Sequence, residues 1–181
     1  MSTPPLRLFF ALPCPPDLAH AVVAWRDGLA LDGKPVAKEN LHITLTFLGA
    51  QPRGRLDELH GLAAGIETPP FVLSLDSLGR WGNGLLYLAP SQVPSELLEL
   101  EHELHERLLL AGFELETRRY RPHLTLARHC RRLPHAITPP DLTWQVEQFA
   151  LFVSRATAGA GSNYQSVGQW RLGGNSKADY P

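Results

Sequence analysis

The stretch LHITLTFLG, Leu41–Gly49, reads as a β-strand with chemistry on one side. A strand repeats every two residues, so His42, Thr44 and Thr46 share one face while Ile43, Leu45 and Phe47 share the other. The apolar face suits a core. The polar face presents an imidazole and a hydroxyl side by side.

The same pattern returns 81 residues later as PHLTLAR, Pro122–Arg128, with His123 and Thr125 in the places of His42 and Thr44. Each copy reads His, aliphatic, Thr, aliphatic. Chance would place two such stretches among eight histidines and nine threonines less than about one time in a hundred. One imidazole from each of two strands, facing across a groove, supplies an acid and a base to one centre. The threonine hydroxyls can donate to an anionic oxygen. Two imidazoles and two hydroxyls around a point suit in-line displacement at phosphorus with no metal. No G-x-S-x-G elbow is present, so a serine triad is not indicated.

Outward from these stretches, short apolar strands are expected at Arg7–Leu12, Phe71–Leu78, Gly84–Pro90, Gln145–Ser154 and Gln165–Leu172. Gly82-Asn83-Gly84 marks a hairpin turn. Helical spacing of Leu18, Val22, Trp25 and Leu29 predicts one helix after Pro16, and a second covers about Leu56–Ile66. The third helix is the clearest: Pro94 and Ser95 open it, Leu97, Leu100, Leu104 and Leu108 stripe it, and Gly112 ends it. A Gly/Ala/Ser-rich loop, ATAGAGSN, joins the last two strands. The order β-α-β-α-β-β-α-β-β-β lacks strict βαβ alternation and points to an α+β fold.

With 181 residues, a net charge of −1 and two cysteines in no CxxC pair, the chain reads as a cytoplasmic protein in a reducing compartment. The apolar run near the N-terminus is too short for a secretory leader or a membrane span. Near-neutral net charge argues against tight duplex DNA binding. Locally, Arg118, Arg119, Arg121, Arg128, Arg131 and Arg132 crowd around the second motif, with no acidic residue from Thr117 to Pro140, giving a positive field fit for an RNA backbone. His102 and His105 sit three apart among glutamates. Metal binding is one use of that spacing, but the leucine stripe takes the inward face, so an exposed helix face is expected there.

Taken together, RLFFAL, PVAKENLHITLTFLG, RPHLTLAR and LFVSRATAGAGSNYQSVGQWRL resemble the two-histidine (2H) phosphoesterase superfamily. Within it, they resemble the RNA 2′,3′-cyclic phosphodiesterases, also called 2′-5′ RNA ligases. The resemblance implies a single bilobal domain over residues 1–174, with residues 175–181 a disordered tail. Two antiparallel β-sheets would face each other across a central cleft, with helices outside and pseudo-two-fold symmetry. It implies metal-independent, cofactor-free hydrolysis of 2′,3′-cyclic phosphate ends of RNA (tRNA fragments among them) or of cyclic nucleotides to 2′-phosphomonoesters, with weak 2′-5′ ligation. By the same resemblance His42 is the general acid, His123 the general base, and Thr44 and Thr125 bind phosphate oxygens. Arg128 is expected to contact phosphate, although its odd offset from His123, like that of Phe47 from His42, would turn a regular strand's side chain away from the cleft. Phe9 or Phe47 would stack a base, and Tyr164 would line the rim. A monomer is expected. The alternatives are hydrolysis of ADP-ribose cyclic phosphate or of 2′-5′ oligonucleotides, a non-catalytic RNA-end-binding module, and a metal-dependent hydrolase.

Overall fold

The computed structural model describes residues 2–135, 142–159 and 161–174. The expected tail at 175–181 lies outside them. Ten strands and three helices are present among the described residues: β1 (Leu6–Pro13), α1 (Pro16–Asp27), β2 (Lys34–Pro35), β3 (His42–Gln51), α2 (Leu56–Ala64), β4 (Phe71–Leu75), β5 (Ser77–Arg80), β6 (Leu86–Ala89), α3 (Ser95–Leu110), β7 (Leu124–Arg128), β8 (Leu142–Val146), β9 (Gln148–Thr157) and β10 (Gly161–Arg171). The fold is α+β with two antiparallel sheets.

The larger sheet has the order β10-β9-β1-β3-β7-β6-β5, with β2 alongside β7. Its two halves join at one residue pair, Ile43 with Leu124, on the two motif strands. One half carries the first motif and the other half the second. Extending the antiparallel register by one residue on either side of that pair sets His42 across from Thr125, and Thr44 across from His123. The pseudo-two-fold relation therefore runs through the Ile43–Leu124 pair, and both residues are fully buried beneath the polar groups they flank.

Two stretches expected as single strands each serve two sheets. Phe71–Leu78 divides at Asp76 into β4 and β5, and the C-terminal stretch divides at Glu147 into β8 and β9. β4 and β8 pair to form the second sheet. Its alternate residues Phe71, Leu73, Leu75, Leu142, Trp144 and Val146 enter the core. Asp76 accepts a hydrogen bond from the Ser91 amide at 2.7 Å, which ties the crossover to the chain after β6. The β5–β6 hairpin forms as expected, from Ser77 opposite Ala89 to Arg80 opposite Leu86. The loop expected between the last two strands is shorter than its composition suggested, because β9 extends to Thr157 and β10 begins at Gly161.

Helix α3 matches its sequence signals. Leu97, Leu100, Leu104 and Leu108 are fully buried, each contributing roughly 1.5–3 kcal/mol of apolar burial. Gly112 adopts φ +83. The Phe113 amide bonds the Leu108 carbonyl and the Gly112 amide bonds that of Leu109, a Schellman closure. Helix α1 ends at Asp27, so Leu29 is buried beyond it rather than on it. No helix among the described residues is long and apolar enough to cross a membrane.

Candidate active site

Strict alternation fails on both motif strands, at the same place. In β3 the register with β1 passes from Ala11–Thr44 to Phe10–Thr46, leaving Leu45 extra. In β7 the register with β6 passes from Tyr87–Thr125 to Leu86–Ala127, leaving Leu126 extra. Each extra residue follows its threonine directly. A bulge of one residue reverses the facing of everything beyond it. Thr46, expected on the face of His42, is instead buried, with its hydroxyl unpartnered among the described residues. Phe47 and Arg128, each five residues after a histidine, come round to the histidine face. The bulges thus remove the objection that odd offsets raised.

Both imidazoles are held the same way. His42 Nδ1–H donates to the Asn40 carbonyl at 2.6 Å, and His123 Nδ1–H donates to the Arg121 carbonyl at 2.8 Å. In each case the acceptor lies two residues upstream. This fixes the tautomer that leaves Nε2 bare. The Thr44 hydroxyl lies 3.1 Å from His42 Nε2 and donates to it. Asn40 is itself anchored, its side-chain amide donating to the Ser162 carbonyl of β10 at 2.7 Å.

Aromatic rings brace each imidazole. His42 lies 5.1 Å from both Phe9 and Tyr164, the latter edge-on. His123 lies 4.4 Å from Trp81 and 5.9 Å from Tyr87. These low-dielectric walls disfavour the charged ring. Burial, followed by the nearby His123 and Arg128 charges, pulls His42 down to about 4, against the hydrogen bond to Asn40. His123 is lowered as well, by burial first and then by Arg128 and Arg121. Arg128 thus bears on both histidines through its charge, from the end of β7.

Beside the pair lies a cavity of about 590 Å³, lined by Thr44, Thr46, Phe47, Trp81, His123 and the 115–121 segment on one side and by Glu101 and His105 of α3 on the other. Tyr120 closes its floor, its hydroxyl donating to the Thr44 carbonyl at 2.9 Å.

The sequence-predicted residues His42, Thr44, His123, Arg128, Phe47 and Tyr164 gather here, and Thr125 occupies the half-buried β7 position equivalent to Thr44. Phe9 is a correction: at 2% exposure, it backs His42 and offers no face to a base. Its strand is flanked by β3 and β9, and its ring is enclosed by Phe47, Phe152 and Tyr164. His105 is a second correction. It lines the cavity, whereas His102 lies on the exposed side as expected. The arginine cluster divides: Arg118, Arg119 and Arg121 rim the cavity, while the Arg131 backbone amide and the Arg132 guanidinium meet Asp32. Trp81, Tyr87, Tyr120 and Glu101 went unforeseen. Trp81 followed directly on the hairpin strand, but no periodic signal pointed it at His123.

Two matched half-sites meeting at one residue pair of an α+β sheet, each with a bare imidazole nitrogen beside a threonine, define a two-histidine phosphoesterase. The chain belongs to the 2′-5′ RNA ligase superfamily, whose family model matches residues 14–158. It is 33% identical over 173 residues to an RNA 2′,3′-cyclic phosphodiesterase of Escherichia coli, covering 93% of this chain and 97% of that one. It is 32% identical over 126 residues to one of Methanocaldococcus jannaschii, covering 68% and 71%. The crystal structure of E. coli LigT complexed with 3′-AMP superposes with a TM-score of 0.85 at 31% identity, covering 93% of this chain and 98% of that one.

Proposed function

We propose that this protein opens 2′,3′-cyclic phosphate ends of RNA or nucleotides to 2′-phosphomonoesters by acid–base catalysis without a metal. The observation that carries it is the pair of imidazoles held in one tautomer by one device, each with Nε2 bare, in a family whose curated relatives bear the name RNA 2′,3′-cyclic phosphodiesterase. His123 Nε2 takes a proton from water as it attacks phosphorus. The water oxygen–phosphorus bond forms, the phosphorus–O3′ bond breaks, and His42 gives a proton to the departing O3′. Thr44, Thr125 and Arg128 hold the non-bridging oxygens, where charge accumulates. His42 carries its proton only in the complex, because burial keeps it neutral in the free protein. The bound phosphate anion supplies the charge that lets it protonate. RNA fragments with such ends are the partners, the protein acts as a monomer in the cytoplasm, and when an RNA 5′-hydroxyl attacks the cyclic phosphate in place of water, breaking the same phosphorus–O3′ bond, the site joins the two ends weakly through a 2′-5′ linkage.

A second assignment, with His42 as base and His123 as acid, is favoured by the deeper lowering of His42, which makes it the more readily neutral ring. A cyclic phosphate with sulfur in place of O3′ separates the two, since a thiolate leaves without a proton. If His42 is the acid, His42→Ala regains activity on the thio substrate and His123→Ala does not. The reading as a whole is tested by incubating a short RNA ending in a 2′,3′-cyclic phosphate with the protein in excess EDTA. A 2′-phosphate product supports it. A 3′-phosphate product, or no turnover unless a divalent metal is added, refutes it.

A further inference from the structure

The cavity beside the histidines carries more chemistry than phosphate opening uses. Glu101 projects into it from α3 and is mostly buried, with 18% of its side chain exposed. Its carboxylate accepts no hydrogen bond from a described residue. Its ionic partner is His105, with Nδ1 at 3.9 Å, beyond hydrogen-bond reach. Desolvation raises the Glu101 carboxyl above the usual range, opposed by His105 and His102. A mostly buried carboxylate left open in this way marks a place built for a ligand.

The walls specify what kind. Phe47 is 44% exposed, with one ring face stacked on Phe9 at 5.8 Å, so the other is open for a flat partner. Trp81 stands across the cavity against His123. Arg119 and Arg121 at the rim suit a phosphodiester backbone. The cavity lies within the range that takes a small molecule. It borders Thr44 and His123, so a nucleoside in it would hang from a phosphate held at the centre.

We propose that this cavity is a nucleobase subsite in which the Glu101 carboxylate selects guanine at the cyclic phosphate end. An ionised carboxylate only accepts hydrogen bonds. The guanine edge offers two adjacent donors, N1–H and the N2 amine, and meets both carboxylate oxygens. Cytosine and adenine set one amine beside a ring acceptor, and uracil sets one N–H between two carbonyls, so each places a repelling lone pair against the carboxylate. The proposal rests on the phosphodiesterase reading for its orientation, but its test does not need turnover.

Equilibrium binding of the four nucleoside 2′-monophosphates by calorimetry, with wild type and Glu101→Gln, decides it. Wild type is expected to bind the guanosine product at least about tenfold more tightly than the uridine product, the scale of one selective hydrogen-bonded contact. Glu101→Gln is expected to bring the four within about threefold, by weakening guanosine product binding and relieving the repulsion that disfavours the others. Equal affinities in wild type, or a guanosine preference that survives in Glu101→Gln, overturn the proposal. If the binding preference holds while no cyclic phosphate is hydrolysed, the subsite stands and the phosphodiesterase reading falls.

Discussion

Anion binding should draw a proton onto His42. In the free protein, burial and the His123 and Arg128 charges hold its imidazole at about 4. A drop of about 2.5 units from the ordinary value corresponds to roughly 3 kcal/mol. A phosphate-like anion near Nε2 offers attraction of about 4 kcal/mol per pair of unit charges at close contact and an effective dielectric near 20, enough to cancel that penalty. The anion-bound pKa should therefore return to 6.5 or above. By linkage, an anion that favours the protonated ring binds more tightly as pH falls from the bound-state value toward the free-state value, about tenfold per unit. Sulfate keeps its charge across this range and isolates the effect. Its dissociation constant should fall about 15-fold or more between pH 6.5 and 5, measured by calorimetry, with the His42 ring protons followed by NMR. His42→Asn should flatten the slope. Sulfate affinity that stays constant from pH 7.5 to 5, or a free His42 titrating near 6.5, would refute the reasoning.

Other consequences follow from the same geometry. Arg128→Met should raise both histidine pKa values by removing a shared positive neighbour and should weaken sulfate binding about tenfold or more; NMR titration and calorimetry read both. Arg26 is 5% exposed and donates to the Val36 carbonyl at 2.6 Å and to that of Leu126, the extra residue of the β7 bulge, at 3.3 Å. Arg26→Met should cost roughly 1–3 kcal/mol in denaturant unfolding and should lower turnover at a temperature where the variant remains folded, because the bulge turns Arg128. Acid should also destabilise the fold through His42. Between about 4 and 6.5 the unfolded chain binds the proton and the native chain does not, so stability is complete above 6.5 and falls by roughly 3 kcal/mol as pH drops to about 4. Urea unfolding across that window, with His42→Asn as control, checks the sign.

The repeated His-x-Thr pattern located the centre of the site before any fold was known, because a period-two strand ties His42 to Thr44 and His123 to Thr125 regardless of context. The leucine stripe and Gly112 did the same for α3. Other features escaped for physical reasons. A bulge leaves no mark in composition: Leu45 and Leu126 are ordinary strand residues, and their surplus exists only relative to the partners on β1 and β6. The divisions at Asp76 and Glu147 likewise depend on β4 finding β8 across some 70 residues of chain. The spacing of His102 and His105 puts His105 on the exposed side of α3. The helix does bury its leucines, yet the 115–121 segment folds back over its flank and encloses a cavity there. The role of Phe9 was misread because its burial follows from strands β9 and β10 arriving beside it from the far end of the chain.

The central claim is that His42 and His123 act together on one phosphorus centre. The direct measurement is kcat/KM on an RNA 2′,3′-cyclic phosphate for His42→Ala, His123→Ala and the double variant, each shown to be folded. Each single change should lower it by about 10²–10⁴-fold, and the double should fall well short of the product of the two losses, as groups that act as a unit do. Near-wild-type activity in either single variant, or strictly multiplicative losses, would contradict the account.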